Sequence, residues 1–237
     1  IKLSSFSNSS DLEFKNAIYS LKKQGMESLI FDLRFNGGGY LHQAINIADE
    51  FLSQDKLIVY TEGAHSKKRT FYSSSNGLFE KGKLIILVNS STASASEIVS
   101  GAIQDNKRGK ILGRRTFGKG LVQQPIMLPD SSELRITTSR YYTPSGKCIQ
   151  KPYGKNIDYD NDIFERIESG ELTQNDSLND NIIFKGGIIP DLYSPIDTSN
   201  YSAAINNTIY TGSWRDFCFD YFEKNPVPNS TNIKDFY

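Results

Sequence analysis

The sequence predicts an α/β or α+β architecture and not an all-β sandwich, with alternating strands and helices followed by a β-rich stretch, and three observations lead there. Continuous apolar runs at 27–33 and 83–88, the pattern of strands buried on both faces, are each followed by a stretch with helical apolar spacing. From 109 to 142 three strand candidates then succeed one another with no helix between them. The 237 residues are 38% hydrophobic and 23% charged, the balance of a chain able to bury a core of that size.

In chain order, residues 1–6 form a short strand, and Ser9 or Ser10 caps a helix carrying Leu12, Phe14, Ala17, Ile18 and Leu21 on one face. The run at 27–33 is the first buried strand. Gly37, Gly38 and Gly39 separate it from a helix over 40–52. Strands at 56–61 and 68–73 flank a turn at Gly63 to Ser66. The run at 83–88 leads through the small, polar segment Asn89 to Ser96 into a helix over 95–105. Strands follow at 109–113, 121–128 and 132–142, the last two joined by a turn at Pro129 to Ser132. Residues 150–185 are rich in Asp, Asn, Glu and Ser and read as an exposed polar excursion. Apolar texture returns at Ile188, and helices are expected near 200–208 and 213–224, the second holding Trp214, Phe217, Phe219, Tyr221 and Phe222. The expected organisation is one domain: a core over 1–149, the excursion over 150–185, and a helical segment over 186–237 packing back on the core.

Lys and Arg together number 27, as do Asp and Glu, so the formal net charge is zero. A basic excess of the kind that marks nucleic-acid binding is absent. No apolar run reaches the roughly 20 residues of a membrane span. Cys148 and Cys218 are too few and too far apart for a disulfide framework or a metal knuckle, and read as thiols. The chain begins at Ile1 without Met, which fits a fragment or processed form whose targeting signal lies elsewhere.

Three apparent motifs dissolve on inspection. Asp158 to Asp162 imitates the start of a calcium loop, but Ile163 and Ser169 stand where such a loop needs Gly and Glu. Gly113 to Lys119 spells the opening of a phosphate-binding loop, but Gly120 and a strand follow in place of Ser or Thr and a helix. Of the two histidines, His42 lies in a helix and His65 in a turn, so neither supplies an obvious Ser-His-Asp triad.

The segment Ser90 to Glu97 carries more. Ser94 with Glu97 three residues on is a capping box, which alone accounts for both residues. A hydroxyl at a helix N-terminus also lies near backbone N–H groups that favour an oxyanion. Lys119, between Gly118 and Gly120, reads as a surface lysine in a tight turn when taken alone.

Several longer stretches, taken in order, resemble the carboxyl-terminal processing peptidases, or tail-specific proteases. These are Asp32 to Gly39, Ser94 to Ile98, Gln104 to Asn106, Thr116 to Gln123, Arg140 to Gly146, and Gly187 to Asp191. The resemblance covers residues 1–150 well and the remainder more loosely. It implies an α/β, ClpP/crotonase-like peptidase core with an adjoining β-rich lobe, with Ser94 as nucleophile, Lys119 as general base and Gln123 orienting that base. The N–H groups of Gly38 and Ala95 would form the oxyanion hole, with no metal and no cofactor. Gly37 departs from the proline common in the family, which loosens the loop but keeps the Gly38 N–H. Cys148 stands where a small polar residue is common. The resemblance further implies protein or peptide substrates cut near unstructured apolar C-termini, a periplasmic or cell-envelope location, and a PDZ domain upstream that these 237 residues do not contain.

The chemistry is coherent on its own terms. A serine hydroxyl needs a base, and lysine serves only when neutral, against a free value near 10.4. Phe117, Leu121 and Val122 are expected to bury Lys119 and disfavour its charge. The neutral Gln123 amide would aim the amine without the opposing effect of a carboxylate, and activity would rise as Lys119 loses its proton. Two other readings use the same sequence: a non-catalytic relative serving as a binding or scaffold protein, and a crotonase-type acyl-CoA enzyme that needs neither Ser94 nor Lys119.

Overall fold

A computed structural model of the chain describes residues 1–75, 77–154, 159, 162–171, 186–196, 208 and 211–224. The chain divides into two compact units, Ile1–Pro195 and Ile196–Tyr237.

The first unit is built on two four-stranded sheets. One is parallel, in the order β1 (Ser28–Asp32), β4 (Lys83–Val88), β5 (Lys110–Gly113), β8 (Leu192–Tyr193). The other is antiparallel, in the order β3 (Ser66–Tyr72), β2 (Leu57–Gly63), β7 (Glu133–Tyr142), β6 (Leu121–Met127). Helices α1 (Ser10–Lys23), α2 (Leu41–Asp49) and α3 (Ala95–Asp105) complete the core, and α4 (Asp162–Glu168) follows the second sheet in sequence. The expected α/β core with a β-rich lobe is therefore present, one sheet for each part.

Alternation explains the parallel sheet. Leu29 and Phe31 of β1 point inward, and Phe31 meets Phe14 of α1 and Phe51 beyond α2 with ring centroids 5.1 and 5.8 Å apart. Ile30, between them, is 56% exposed, so the expected burial of this strand on both faces is corrected. β1 is the edge of its sheet, and period-2 geometry turns Ile30 away from the aromatic cluster. Residues 1–6 make isolated bridges only, Lys2 with Asp32 and Phe6 with Gly39, and do not form the expected continuous strand.

Family-like motifs recur as clamps between these layers. At the end of α3, Gln104 Nε2 donates to Ile189 O at 2.7 Å and Asn106 Nδ2 to Leu57 O at 2.8 Å, while Asp105 accepts from Ser145 N. Asp191 accepts the Ile111 N–H at 2.8 Å and so fixes β5. Gly101 faces Thr143 and Ile188 so closely that a Cβ there would lie 2.9 Å from Thr143 Cγ2.

The excursion is not uniformly exposed among the described residues. Gln150, Lys151 and Arg166 are buried, and α4 is an element the polar composition concealed. In the second unit, α5 (Ser213–Lys224) spans the expected range and carries exposed Trp214, Phe217 and Tyr221 in a row, Phe217 stacked on Tyr221 and tilted against Trp214. The helix expected at 200–208 lies outside the described residues apart from Thr208. Both cysteines are free thiols.

Candidate active site

Ser94 stands at the junction between β4 and α3, six residues past the strand end and one before the helix. Its backbone has φ 57° and ψ −115°, a combination that a residue with a Cβ rarely adopts. A sharp, strained strand-to-helix turn of this kind lifts a side chain clear of the sheet. Ser94 is half-buried there, whereas Ala95 and Ser96 behind it are buried.

The turn is held by a neighbouring loop. The carbonyl of Asn36 accepts from Ala93 N at 2.9 Å and from Ser96 Oγ at 3.1 Å. Asn36 is fully buried and its Nδ2 donates to Leu3 O. Gly38 then passes directly over Ser94: with φ +99°, a Cβ there would lie 2.7 Å from Ser94 Cβ and 2.9 Å from Ala95 N. Only glycine fits this crossing.

Both expected oxyanion donors are thus adjacent to Ser94. They differ in state. Ala95 N–H has no partner among the described residues, while Gly38 N–H donates to Asn36 Oδ1 at 2.8 Å. The loosening expected from Gly37 is offset by this hydrogen bond, which pins the loop from within.

The lysine arrives on residues 115–120, which have no regular secondary structure. The capping-box partner Glu97 is the reason they lie beside Ser94. Glu97 is completely buried. Its Oε2 accepts the N–H of Ser94 and that of Lys119, both at 2.8 Å. Its Oε1 accepts Gly118 N–H at 2.7 Å and Thr116 Oγ1 at 2.5 Å. Burial pushes the Glu97 carboxyl above its ordinary range, against the pull of these four donors.

Lys119 itself is exposed, which corrects the expectation of an apolar pocket around it. Phe117, Leu121 and Val122 are only half-buried, and Lys119 stands at the edge of an open cleft of about 430 Å³. Gly37, Ala93, Phe117, Lys119, Lys151 and Arg166 line it. The buried lysine is Lys151, held over the rings of Phe117 and Tyr159 at 4.2 and 4.0 Å. Burial lowers its affinity for a proton, and Asp162, 3.4 Å away, opposes that.

Gln123 is exposed on β6, opposite Thr137, and no hydrogen bond joins it to Lys119 among the described residues. The structure therefore brings Ser94, Ala95 and Gly38 together and ties the Lys119 backbone to them. The side chains of Lys119 and Gln123 are not engaged with each other. His42 and His65 are both exposed and absent from the cleft lining. Asp162, the last residue of the imitation calcium loop, pairs instead with Arg166 at 2.8 Å. Among the described residues no group of His, Cys, Asp or Glu is arranged to hold a metal ion. No helix there is long and apolar enough to cross a membrane.

Comparison with known proteins identifies the family. The sequence model of Peptidase family S41 matches residues 1–162. A chloroplastic C-terminal processing peptidase of Tetradesmus obliquus is 36% identical over 151 residues, covering 64% of this chain and 32% of its own length. A carboxyl-terminal-processing protease of Synechocystis sp. is 40% identical over 151 residues, covering 64% of this chain and 35% of its own. The chain thus spans about a third of the length of these relatives. Among solved structures, a photosystem II D1 C-terminal processing protease superposes with a TM-score of 0.64 at 30% identity, over 82% of this chain and 41% of that one.

Proposed function

The chain belongs to peptidase family S41, and from that membership we propose that it forms the proteolytic core of a serine endopeptidase working through Ser94 and Lys119. The observation that carries the reading is the strained turn at Ser94, set against Gly38 and Ala95 N–H, with the lysine loop fastened to it through Glu97.

In this reading Ser94 Oγ attacks the scissile carbonyl and Lys119 Nζ takes its proton. The developing oxyanion is met by Ala95 N–H, with Gly38 N–H shared between it and Asn36. Removing one such donor costs about 10²–10³ in turnover. Lys119 returns its proton to the leaving amine, then activates the water that releases the acyl group from Ser94. Its exposure assigns a task to the substrate: a peptide lying across the cleft covers the amine and excludes water from it. Gln123 enters only if β6 shifts, which fits a site that tightens when substrate or an attached domain engages. No step calls for a metal or cofactor.

The substrates are proteins cut at or near unstructured, apolar C-termini. The location in this reading is the periplasm or cell envelope of a bacterium, which rests on the sequence resemblance; the relatives that carry the name of C-terminal processing protease or peptidase are both bacterial and chloroplastic. A PDZ domain upstream would deliver the substrate end by strand addition.

The test is cleavage of a permanently unfolded casein by the parent, Ser94→Ala, Lys119→Ala and the double variant His42→Ala/His65→Ala, each checked for folding by circular dichroism. Loss in the first two variants and retention in the histidine double variant is expected. Cleavage by folded Ser94→Ala removes the nucleophile assignment. Silence of the parent, even with its upstream region joined, favours a binding or scaffold role.

A further inference from the structure

We propose that Arg166 is a positioning residue for the base: its guanidinium holds the carbonyl side of residues 115–117 so that Lys119 is presented at the cleft beside Ser94. The inference rests on the reading of Lys119 as general base.

The segment 115–120 belongs to no helix or strand, so its polar groups must find partners individually. The N–H groups of 116–120 go to Ile188 O, Thr92 O, the Glu97 carboxylate twice, and Gln150 Oε1. Three successive carbonyls go to one side chain. Arg166 Nη1 donates to Arg115 O at 3.0 Å and Thr116 O at 3.1 Å, and Nη2 to Phe117 O at 3.4 Å. The lysine loop is therefore held between two buried opposite charges, Glu97 on its N–H side and Arg166 on its carbonyl side. Their relative exposures are 0% and 2%.

Asp162, one turn earlier on α4, orients the guanidinium through Oδ2 at 2.8 Å from Nη2. Asp162 also reaches Lys151, whose ammonium lies over the Phe117 ring and whose backbone N–H donates to Gly118 O at 2.9 Å. Packing alone does not account for this arginine. A leucine would fill similar space without the cost of burying a charge, but would leave three carbonyls unpaired next to Lys119. The Arg166 Nε is itself buried without an acceptor among the described residues, so the group is not optimised for stability. What the planar fork supplies is geometry, which a lysine ammonium does not reproduce.

The experiment compares the parent with Arg166→Lys, Arg166→Gly and Lys119→Ala on a fluorogenic unfolded-protein substrate, following kcat, KM, the pH–rate profile and thermal unfolding. Arg166→Lys is expected to fold and to lose roughly ten- to hundred-fold in kcat, the scale of a small misplacement of a reacting group. Its KM should stay within about two-fold, and its pH–rate profile should move. Millimolar guanidinium should restore part of the Arg166→Gly activity, and ammonium at equal ionic strength should not. A folded Arg166→Lys with parental kcat and an unmoved pH profile overturns the proposal. So does a loss that follows thermal stability alone while the folded fraction keeps full specific activity. Parental activity in Lys119→Ala overturns the base assignment and this inference together. An inactive Lys119→Ala beside a parental Arg166→Lys rejects the positioning role only.

Discussion

Ser94 and Lys119 are joined through one atom: Glu97 Oε2 accepts the backbone N–H of each at 2.8 Å. The two residues proposed to exchange a proton are thereby fixed in their main chains by a buried carboxylate that takes no part in the exchange. The capping box read from the sequence is half of this arrangement, and the lysine loop is the other half.

Replacing Glu97 by Gln tests that coupling. Either orientation of the amide sets its NH₂ against at least one backbone N–H of Ser94, Gly118 or Lys119. A buried donor left unsatisfied costs roughly 1–3 kcal/mol. Denaturant unfolding should show a loss of that order. Proteolysis by the remaining folded protein should fall by about 100-fold, because Ser94 and Lys119 lose their common anchor.

The same carboxyl gives stability a pH dependence of predictable sign. Burial raises the Glu97 value above its ordinary 4.5, so the folded chain holds this proton more tightly than the unfolded chain does. That contribution is fully present below the ordinary value and is lost as pH rises through the folded value. Asp32, held low by the hydrogen bond from Arg34, acts in the opposite sense and below 3.8, where its stabilisation is lost as pH falls. Unfolding free energies measured at several pH values above 4.5 should decline in the parent and less so in Glu97→Gln. Equal slopes in the two proteins would contradict the assignment.

The backbone at Ser94 makes a separate prediction. With φ at 57°, any side chain bearing a Cβ is strained, at about 1–3 kcal/mol for such a conformation. Ser94→Ala keeps the strain and Ser94→Gly releases it. Both variants should be inactive, yet the glycine variant should unfold at the higher temperature, despite the entropy glycine usually costs. The reverse order would mean that the turn is relaxed in solution.

The sequence made the strand and helix order legible because buried strands, glycine turns and α3 carry short-range signals that tertiary context did not override. The sequence bounds α3 at 95–105, as the structure does, and the motif stretches that carry Gly38, Ser94 and Ala95 meet in the fold. Three things were not legible. Lys119 was expected to be buried by its apolar neighbours, but neighbours in sequence do not fix which way a loop faces, and the buried lysine is Lys151. Asn36 and Glu97 were motif letters whose role as buried hydrogen-bond centres depends on contacts across 57 and 22 residues, Asn36 with Ala93 and Glu97 with Lys119. Arg166 lay in a stretch whose polar composition suggested exposure. Asp162 is its i,i+4 neighbour on the same helix, but the carbonyls of 115–117 that it holds become visible only when α4 is folded against them.

Gly38 is the position where the smallest change should do the most. In Gly38→Ala the new methyl would stand 2.7 Å from Ser94 Cβ, 2.8 Å from Ala93 O and 2.9 Å from Ala95 N, at φ +99°. Two of those contacts are with main chain of a segment fixed by hydrogen bonds from Ala93 N to Asn36 O and from Ser94 N to Glu97 Oε2, so neither can yield cheaply. The loop must lift, carrying its own N–H away from Ser94 and breaking the bond from Gly38 N to Asn36 Oδ1. Loss of one oxyanion donor sets the expected fall in kcat at about 10²–10³, with binding little changed. Labelling by a serine-directed fluorophosphonate should slow with it, since that reaction also builds charge on an oxygen facing the same N–H groups. A Gly38→Ala variant that folds and labels at the parental rate would show that the loop contributes nothing to the reacting centre, and would leave Ala95 N–H as the only donor.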